Sequence, residues 1–549
     1  MKIMKIVYKS IAVFVLCWTL SSCGDFLERS AQDLMIPVTT RHFKEIFNGD
    51  GNLDAITQSY LFVNYMTDDV EFFDGNGLVE DAGRTWSIKD DSRFETFKDS
   101  YLWADEVESS SFSDGAMEYF YKRVLVANVC LEAVDASEGT VEEKEILRGQ
   151  ASFLRAFSYF VLANLYAKPY NMATPDDLCI PLKQESTATT STFARATIAQ
   201  VWGQIKADLD VAIRDLKNKE ISSIYEINYK AVLILATRVA LYMEDWDSVI
   251  SYGEEYRRDF GTQHPLYDIS NQYRSTATTT GSYDATVRNF FNVENKELVW
   301  VFGNNAVSGT YNTYINGMGN SSIYWRISSP RDANVGFTVS SGQPEEEMKR
   351  TLIGQYNFTL TFATNMTVSA ATGDRRPAYW FLVPKVNNST SPSTRYNYKI
   401  IKYDFSDADF YGSVALRTGE VYLNLAEAYA RKTGPDKTTA VRLLNDLRSK
   451  RINPYAGTAE ELSVSTFPTD QALVDFIWQE RRRELCFEEL HRWWDLRRTT
   501  QPKIIHKWYT NTYTLQQGDY AYVLNFPIAE REYNGEKLVP NFRDFRDKD

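Results

Sequence analysis

The chain has 549 residues, 60 Lys and Arg against 73 Asp and Glu, a formal charge of −13 and an aromatic share of 14%. A body this acidic is a poor partner for nucleic acid or an anionic membrane surface, and its length is ample for a well-filled core. Of the five cysteines two lie close to the N-terminus, and the three that remain are too few for a disulfide framework.

Lys2, Lys5 and Lys9 precede an apolar run from Ile11 to Trp18, and Leu20-Ser21-Ser22 then leads into Cys23. This is the pattern of a secretory signal with a lipid-attachment box. The apolar run falls well short of the roughly 20 residues a membrane-crossing helix needs. Residues 1–22 are therefore expected to be removed and Cys23 to carry lipid, giving effectively permanent attachment. With three lysines and no acid in the leader, the charge of −13 becomes −16 on its removal. Residues 23–549 then read as a single domain. Cys130, Cys179 and Cys486 lie in apolar sequence and are expected to be buried thiols.

Asn48, Asp50, Asn52 and Asp54 imitate the start of a calcium loop, but the sixth position is not Gly and no Glu closes it. From Thr67 to Ser111 the sequence is loop-rich. Helical periodicity follows over Gly115–Ala136 and, most strongly, Glu142–Lys168, where small and aromatic residues from Ile146 and Gly149 to Tyr166 recur at three- and four-residue spacing. Pro169 stops that helix. Ile198–Leu216 is amphipathic. Tyr229–Met243 with Asp247–Arg258, and Thr418–Lys432 with Lys437–Arg451, read as helix hairpins with Ala and Tyr at packing positions. Hairpins of about 34 residues are tetratricopeptide-like, and a mainly α scaffold with right-handed stacking is expected. Between 259 and 409 Ser, Thr, Asn and Gly dominate, with short β-like stretches such as Glu297–Phe302. This reads as a loop-rich irregular subdomain inserted into the helical body, and two long irregular regions on one scaffold are where a binding surface would lie.

Known catalytic patterns are missing. His42, His264, His491 and His506 fall in no metal-binding spacing, and there is no nucleophile elbow, phosphate loop or dinucleotide fingerprint. The acid pairs Asp68-Asp69, Asp90-Asp91 and Glu488-Glu489 read as exposed or capping acids in preference to glycosidase carboxylates. The densest charge, Glu480-Arg481-Arg482-Arg483-Glu484 continuing to His491-Arg492-Trp493-Trp494-Asp495-Leu496-Arg497-Arg498, suits a salt-bridged helix end with Arg481 on Glu484, braced by two stacked tryptophans. An anion-binding groove is the functional alternative.

These same residues, Glu480 to Leu485 and Arg492 to Arg498, resemble the C-terminal motif of the SusD/RagB family of outer-membrane nutrient-binding lipoproteins, and a C-terminal signature is taken to span about 415–549. Cys23-Gly24-Asp25-Phe26-Leu27-Glu28, Arg148 to Phe160, Ala207 to Ile213, Ala240 to Trp246, Asn295 to Trp300, Gly373 to Pro377, Glu420 to Tyr429 and Phe526 to Ala529 resemble further family motifs in the same order. The tail from Tyr533 to Asn541 follows the pattern only loosely. The resemblance implies about four tetratricopeptide-like helix pairs with an irregular subdomain, tethered on the outer leaflet. It implies a TonB-dependent SusC-like barrel transporter as partner, a glycan as ligand, no cofactor and no catalytic residues.

Sugars offer C–H faces to aromatic rings and hydroxyls to polar side chains. Aromatics on the polar loops are therefore the candidate contacts: Trp86 and Trp103 in the first region, and Tyr311, Tyr314, Tyr324 and Trp325 in the second. Arg84, Asn312, Asn316 and Arg326 are the candidate hydrogen-bonding neighbours. Trp478, Trp493 and Trp494 are assigned to the core. A peptide cargo, as in the RagB branch, and a surface glycoside hydrolase remain as rival readings.

Overall fold

Most of the long helices begin where a short polar side chain can take up a free backbone N–H. In the computed structural model Thr39, Thr140 and Thr197 form reciprocal capping boxes with His42, Glu143 and Gln200, and Asn228, Asp245, Asp436 and Thr469 cap through their side chains. The resulting helices are α1 (Thr40–Asp50), α2 (Ala116–Ala133), α3 (Val141–Tyr166), α4 (Ile198–Leu216), α5 (Tyr229–Tyr242), α6 (Trp246–Phe260), α7 (Thr418–Arg431), α8 (Lys437–Ser449), α9 (Asp470–Leu485) and α10 (His491–Arg498). The structure describes residues 37–53, 60–72, 96–108, 112–187, 192–270, 290–302 apart from 293, 325–327, 352, 356, 358–362, 368–382, 399–400, 414–453, 461–508 and 511–541. Cys23 and residues 1–36 lie outside this set.

The helices pack as neighbours along the chain, α2 on α3, α3 on α4, α5 on α6 and α7 on α8, and the pairs are joined by α6 on α7 and α7 on α9. Two glycines allow close approach. A Cβ on Gly149 of α3 would come within 2.6 Å of Leu216 on α4, and one on Gly253 of α6 within 2.6 Å of Leu425 on α7. Phe160 ties four helices together by meeting Trp202, Tyr242 and Trp494 edge-on. Among the described residues no helix is long and apolar enough to cross a membrane. Cys130, Cys179 and Cys486 are buried thiols outside any disulfide, as expected.

The segment between α6 and α7 returns to the helical body through strand pairing. Strand β2 (Leu298–Phe302) within it runs antiparallel to β8 (Val414–Arg417) at its close. All five residues of β2 are buried, and Trp300 packs edge-on against Phe153 and Phe157 of α3. The described parts of this loop-rich insertion contain short strands. Strands β4 (Phe358–Phe362), β5 (Val368–Asp374) and β9 (Ile452–Asn453) form one small sheet, and β6 (Phe381–Leu382) and β7 (Lys399–Ile400) another.

Candidate binding site

The two regions expected to carry the binding surface are joined by backbone pairing. Strand β1 (Val70–Phe72), from the first, runs antiparallel to β3 (Trp325–Ile327), from the second, with Val70 opposite Ile327, Glu71 opposite Arg326 and Phe72 opposite Trp325. Below β1 lies the hairpin of β10 (Ile504–Trp508) and β11 (Asn511–Leu515). Its alternation buries Ile504, His506 and Trp508 and exposes Ile505 and Lys507, as a strand with one covered face requires.

An aromatic stack supports β1 from this hairpin. Phe72 stacks on Trp508 with centroids 4.0 Å apart, and the Lys98 ammonium lies 5.8 Å from the same ring. Tyr101 and Trp103 cover His506 at 4.0 and 4.1 Å. The Phe72 N–H donates to Tyr101 Oη at 3.0 Å. Trp103 has a φ of 53°, a conformation a bulky residue adopts only when its surroundings dictate it. Its indole is fully buried and its Nε1–H donates to the Met66 carbonyl at 2.9 Å.

Charge holds the same segment from the other side. Asp68 accepts from Arg492 Nε and Nη2 at 2.7 and 2.8 Å, and Asp69 accepts from Arg482 Nε at 2.8 Å. Burial pushes the Asp68 carboxyl up, but Arg482 and Arg492 more than reverse this and hold it well below the ordinary carboxylate range.

The insertion is anchored on α9 by a buried ionic cluster. Glu484 accepts from Arg376 at 3.1 Å and from Arg417 and Arg451 at 2.9 Å each. Arg376 also reaches Asp374 and Glu480, while Arg417 binds Glu297 and Glu488. Burial opposes the charge on Glu480, yet Arg376, Arg483 and Arg448 hold its carboxyl well below the ordinary range. Three expectations are corrected here. Asp69, Glu488 and Glu489 are buried and arginine-bound, not exposed. Arg481 pairs with Asp495 and Asn424 instead of Glu484. Trp493 and Trp494 do not stack on each other: Trp493 lies flat on Tyr522, while Trp494 meets Phe160 and Tyr242 edge-on. The charged motif faces inward because its partners come from the insertion and from α7, which local sequence does not reveal.

Of the candidate contacts, Trp325 and Arg326 lie on β3. Trp103 is corrected to a packing residue, since both its ring and its N–H are taken up internally. Arg84, Trp86, Tyr311, Asn312, Tyr314, Asn316 and Tyr324 lie outside the described residues, as does Asp90-Asp91. The supporting residues Phe72, Tyr101, His506 and Trp508 were not anticipated. The alternation Ile504-Ile505-His506-Lys507-Trp508 is the signal that could have found them. Asn48 and Asp50 sit in the last turn of α1 rather than in a loop, with Asp54 outside the described residues. Among the described residues no cluster of His, Cys, Asp and Glu could hold a metal ion.

Two family models match the chain, one described as starch-binding associating with outer membrane over residues 54–241 and one described as the SusD family over residues 245–542. A SusD-like protein of Formosa agariphila is 24% identical over 405 residues, covering 70% of this chain and 71% of that protein. Among solved structures, a SusD superfamily protein from Bacteroides thetaiotaomicron superposes with a TM-score of 0.66 at 18% identity, over 92% of this chain and 100% of that one. A SusD-like carbohydrate binding protein from Bacteroides vulgatus does so with a TM-score of 0.61 at 19% identity, over 91% and 97%.

Proposed function

The chain belongs to the SusD/RagB family, and from that premise we propose that it is a non-catalytic glycan-binding lipoprotein that captures oligosaccharide and passes it to a SusC-like TonB-dependent transporter. The observation that carries this reading is the pairing of β1 with β3, which brings the two aromatic-bearing regions together over a rigid aromatic and ionic base. A preformed base limits the ordering cost when a flexible, hydroxyl-rich ligand binds. Lipid on Cys23 tethers the body at the outer membrane, in keeping with the family description, and an outward-facing body lets the ligand be handed to the transporter. Trp86, Tyr311, Tyr314, Tyr324 and Trp325 supply the sugar-stacking rings, with Arg84, Asn312, Asn316 and Arg326 beside them.

Isothermal titration against a panel of oligosaccharides tests this. Binding to at least one glycan class, weakened on substituting Trp325 or Trp86 by Ala, is expected. Peptide binding with no response to any glycan would replace the glycan reading with a peptide one. Release of reducing ends by the purified chain would overturn the non-catalytic assignment.

A further inference from the structure

His506 is 3% exposed and has a hydrogen-bond acceptor at each ring nitrogen. Nδ1 lies 2.6 Å from the Tyr101 carbonyl oxygen and Nε2 lies 3.0 Å from the Thr67 carbonyl oxygen. A neutral imidazole carries one N–H, so in either tautomer a bare nitrogen would meet a carbonyl lone pair at hydrogen-bond distance. An imidazolium donates to both. The ring lies between Tyr101 and Trp103 with interplanar angles of 7° and 18°, and two aromatic faces stabilise a cation between them.

We propose that His506 is held as an imidazolium, and that this cation is a positioning group pinning the first loop-rich region at two points to the hairpin beneath the candidate site. Thr67 opens that region and Tyr101 closes the segment of it that holds β1. One side chain therefore ties the entry and the exit of the segment to β10. Among the described residues, the charged groups on the surrounding elements are Asp68, Asp69 and Glu71 on the entering segment, Lys98, Asp99 and Asp105 around the exit turn, and Lys503 and Lys507 on the hairpin itself; β11 contributes no charged group and sets the phenol-bearing Tyr513 opposite His506. Arg482 and Arg492 already hold Asp68 and Asp69. Lys503 and Lys507 point to solvent, where their repulsion is screened.

The sign of the pH dependence follows. The folded chain binds the protonated ring better than the neutral one, so the pinning is complete at low pH and is lost as the ring gives up its proton in the folded state. A free imidazole is mostly neutral above about pH 6.5, and His506 keeps its proton beyond that point. The proposal rests on the hairpin geometry alone and stands whichever ligand the site takes, so failure of the glycan reading in calorimetry leaves it untouched.

The test is nitrogen NMR of the full chain labelled with 15N-histidine, with lines assigned by comparison with His42→Gln, His264→Gln and His491→Gln. At about pH 7.5, a unit above the free-imidazole value, both His506 ring nitrogens are expected to be protonated. Amide exchange over residues 60–72 and 96–108, corrected for its intrinsic pH dependence, should speed up as the ring deprotonates, and His506→Gln should abolish that response. A single neutral tautomer at about pH 7.5, or the same pH response in His506→Gln, overturns the proposal. If His506→Gln does not fold, the ring titration of the unaltered chain decides.

Discussion

Glu484 has two carboxylate oxygens and accepts from three buried arginines, Arg376, Arg417 and Arg451. Replacing it with Gln keeps the volume and leaves those cations short of one negative charge where water cannot reach. Breaking a buried ion pair from one side costs about 3–5 kcal/mol. Denaturant unfolding of Glu484→Gln is expected to show a loss of that size, and a loss below about 1 kcal/mol would mean that the cluster is not load-sharing. A second residue has the opposite electrostatic problem. Asp114 accepts from Tyr166 Oη at 2.7 Å and from the Ala116 N–H at 3.0 Å, but burial pushes its carboxyl up to about 7. The folded chain thus holds a proton that the unfolded chain has already released. The Asp114 contribution to stability is present below the unfolded value of 3.8 and declines as pH rises towards about 7, by up to about 1.4 kcal/mol per pH unit. Melting Asp114→Asn across that range should show a flatter profile than the unaltered chain; identical profiles would refute the account.

At the scale of elements, the helix pairs are held by shape. Gly253 lets α6 lie close enough to α7 for Leu425 to fill the space a Cβ would occupy, with Cδ2 and Cγ at 2.6 and 2.7 Å from that position. Inserting a methyl group into a packed contact costs about 1–3 kcal/mol. Gly253→Ala should therefore lower the thermal midpoint, although Ala is the better helix former by about 1 kcal/mol, and a rise would show that the contact relaxes freely. These elements were legible because their signals are local. Ile198–Leu216 matches its expected bounds, and Val141–Tyr166 stops before Pro169 as its sequence implies. Helix α1 was not anticipated, since its capping box uses His42 where Glu or Gln is usual. The pairing of β1 with β3 and the inward course of Glu480 to Arg498 were not legible either, because their partners lie far away in sequence.

On the proposed reading, the molecule as a whole is an acidic body held by a lipid on Cys23. Fourteen residues separate Cys23 from Val38, where the Glu138 N–H binds the Val38 carbonyl at 3.0 Å. A chain of that length can span up to about 50 Å when extended, enough reach for the proposed hand-over to a transporter. Cys23→Ala is expected to move the protein out of the membrane fraction and to abolish incorporation of labelled palmitate. Retention in the membrane after that change would show that something other than lipid holds it. By itself, the sequence determined the start and stop of most long helices and the family motifs, all of which are read from neighbouring residues. Only the tertiary structure decided that Trp103 packs inside, that the charged C-terminal motif is an internal anchor for the insertion, and that two distant regions meet as paired strands over an aromatic base. The physical reason is that burial, ion pairing and strand register are properties of two surfaces in contact, and a linear pattern specifies only one of them.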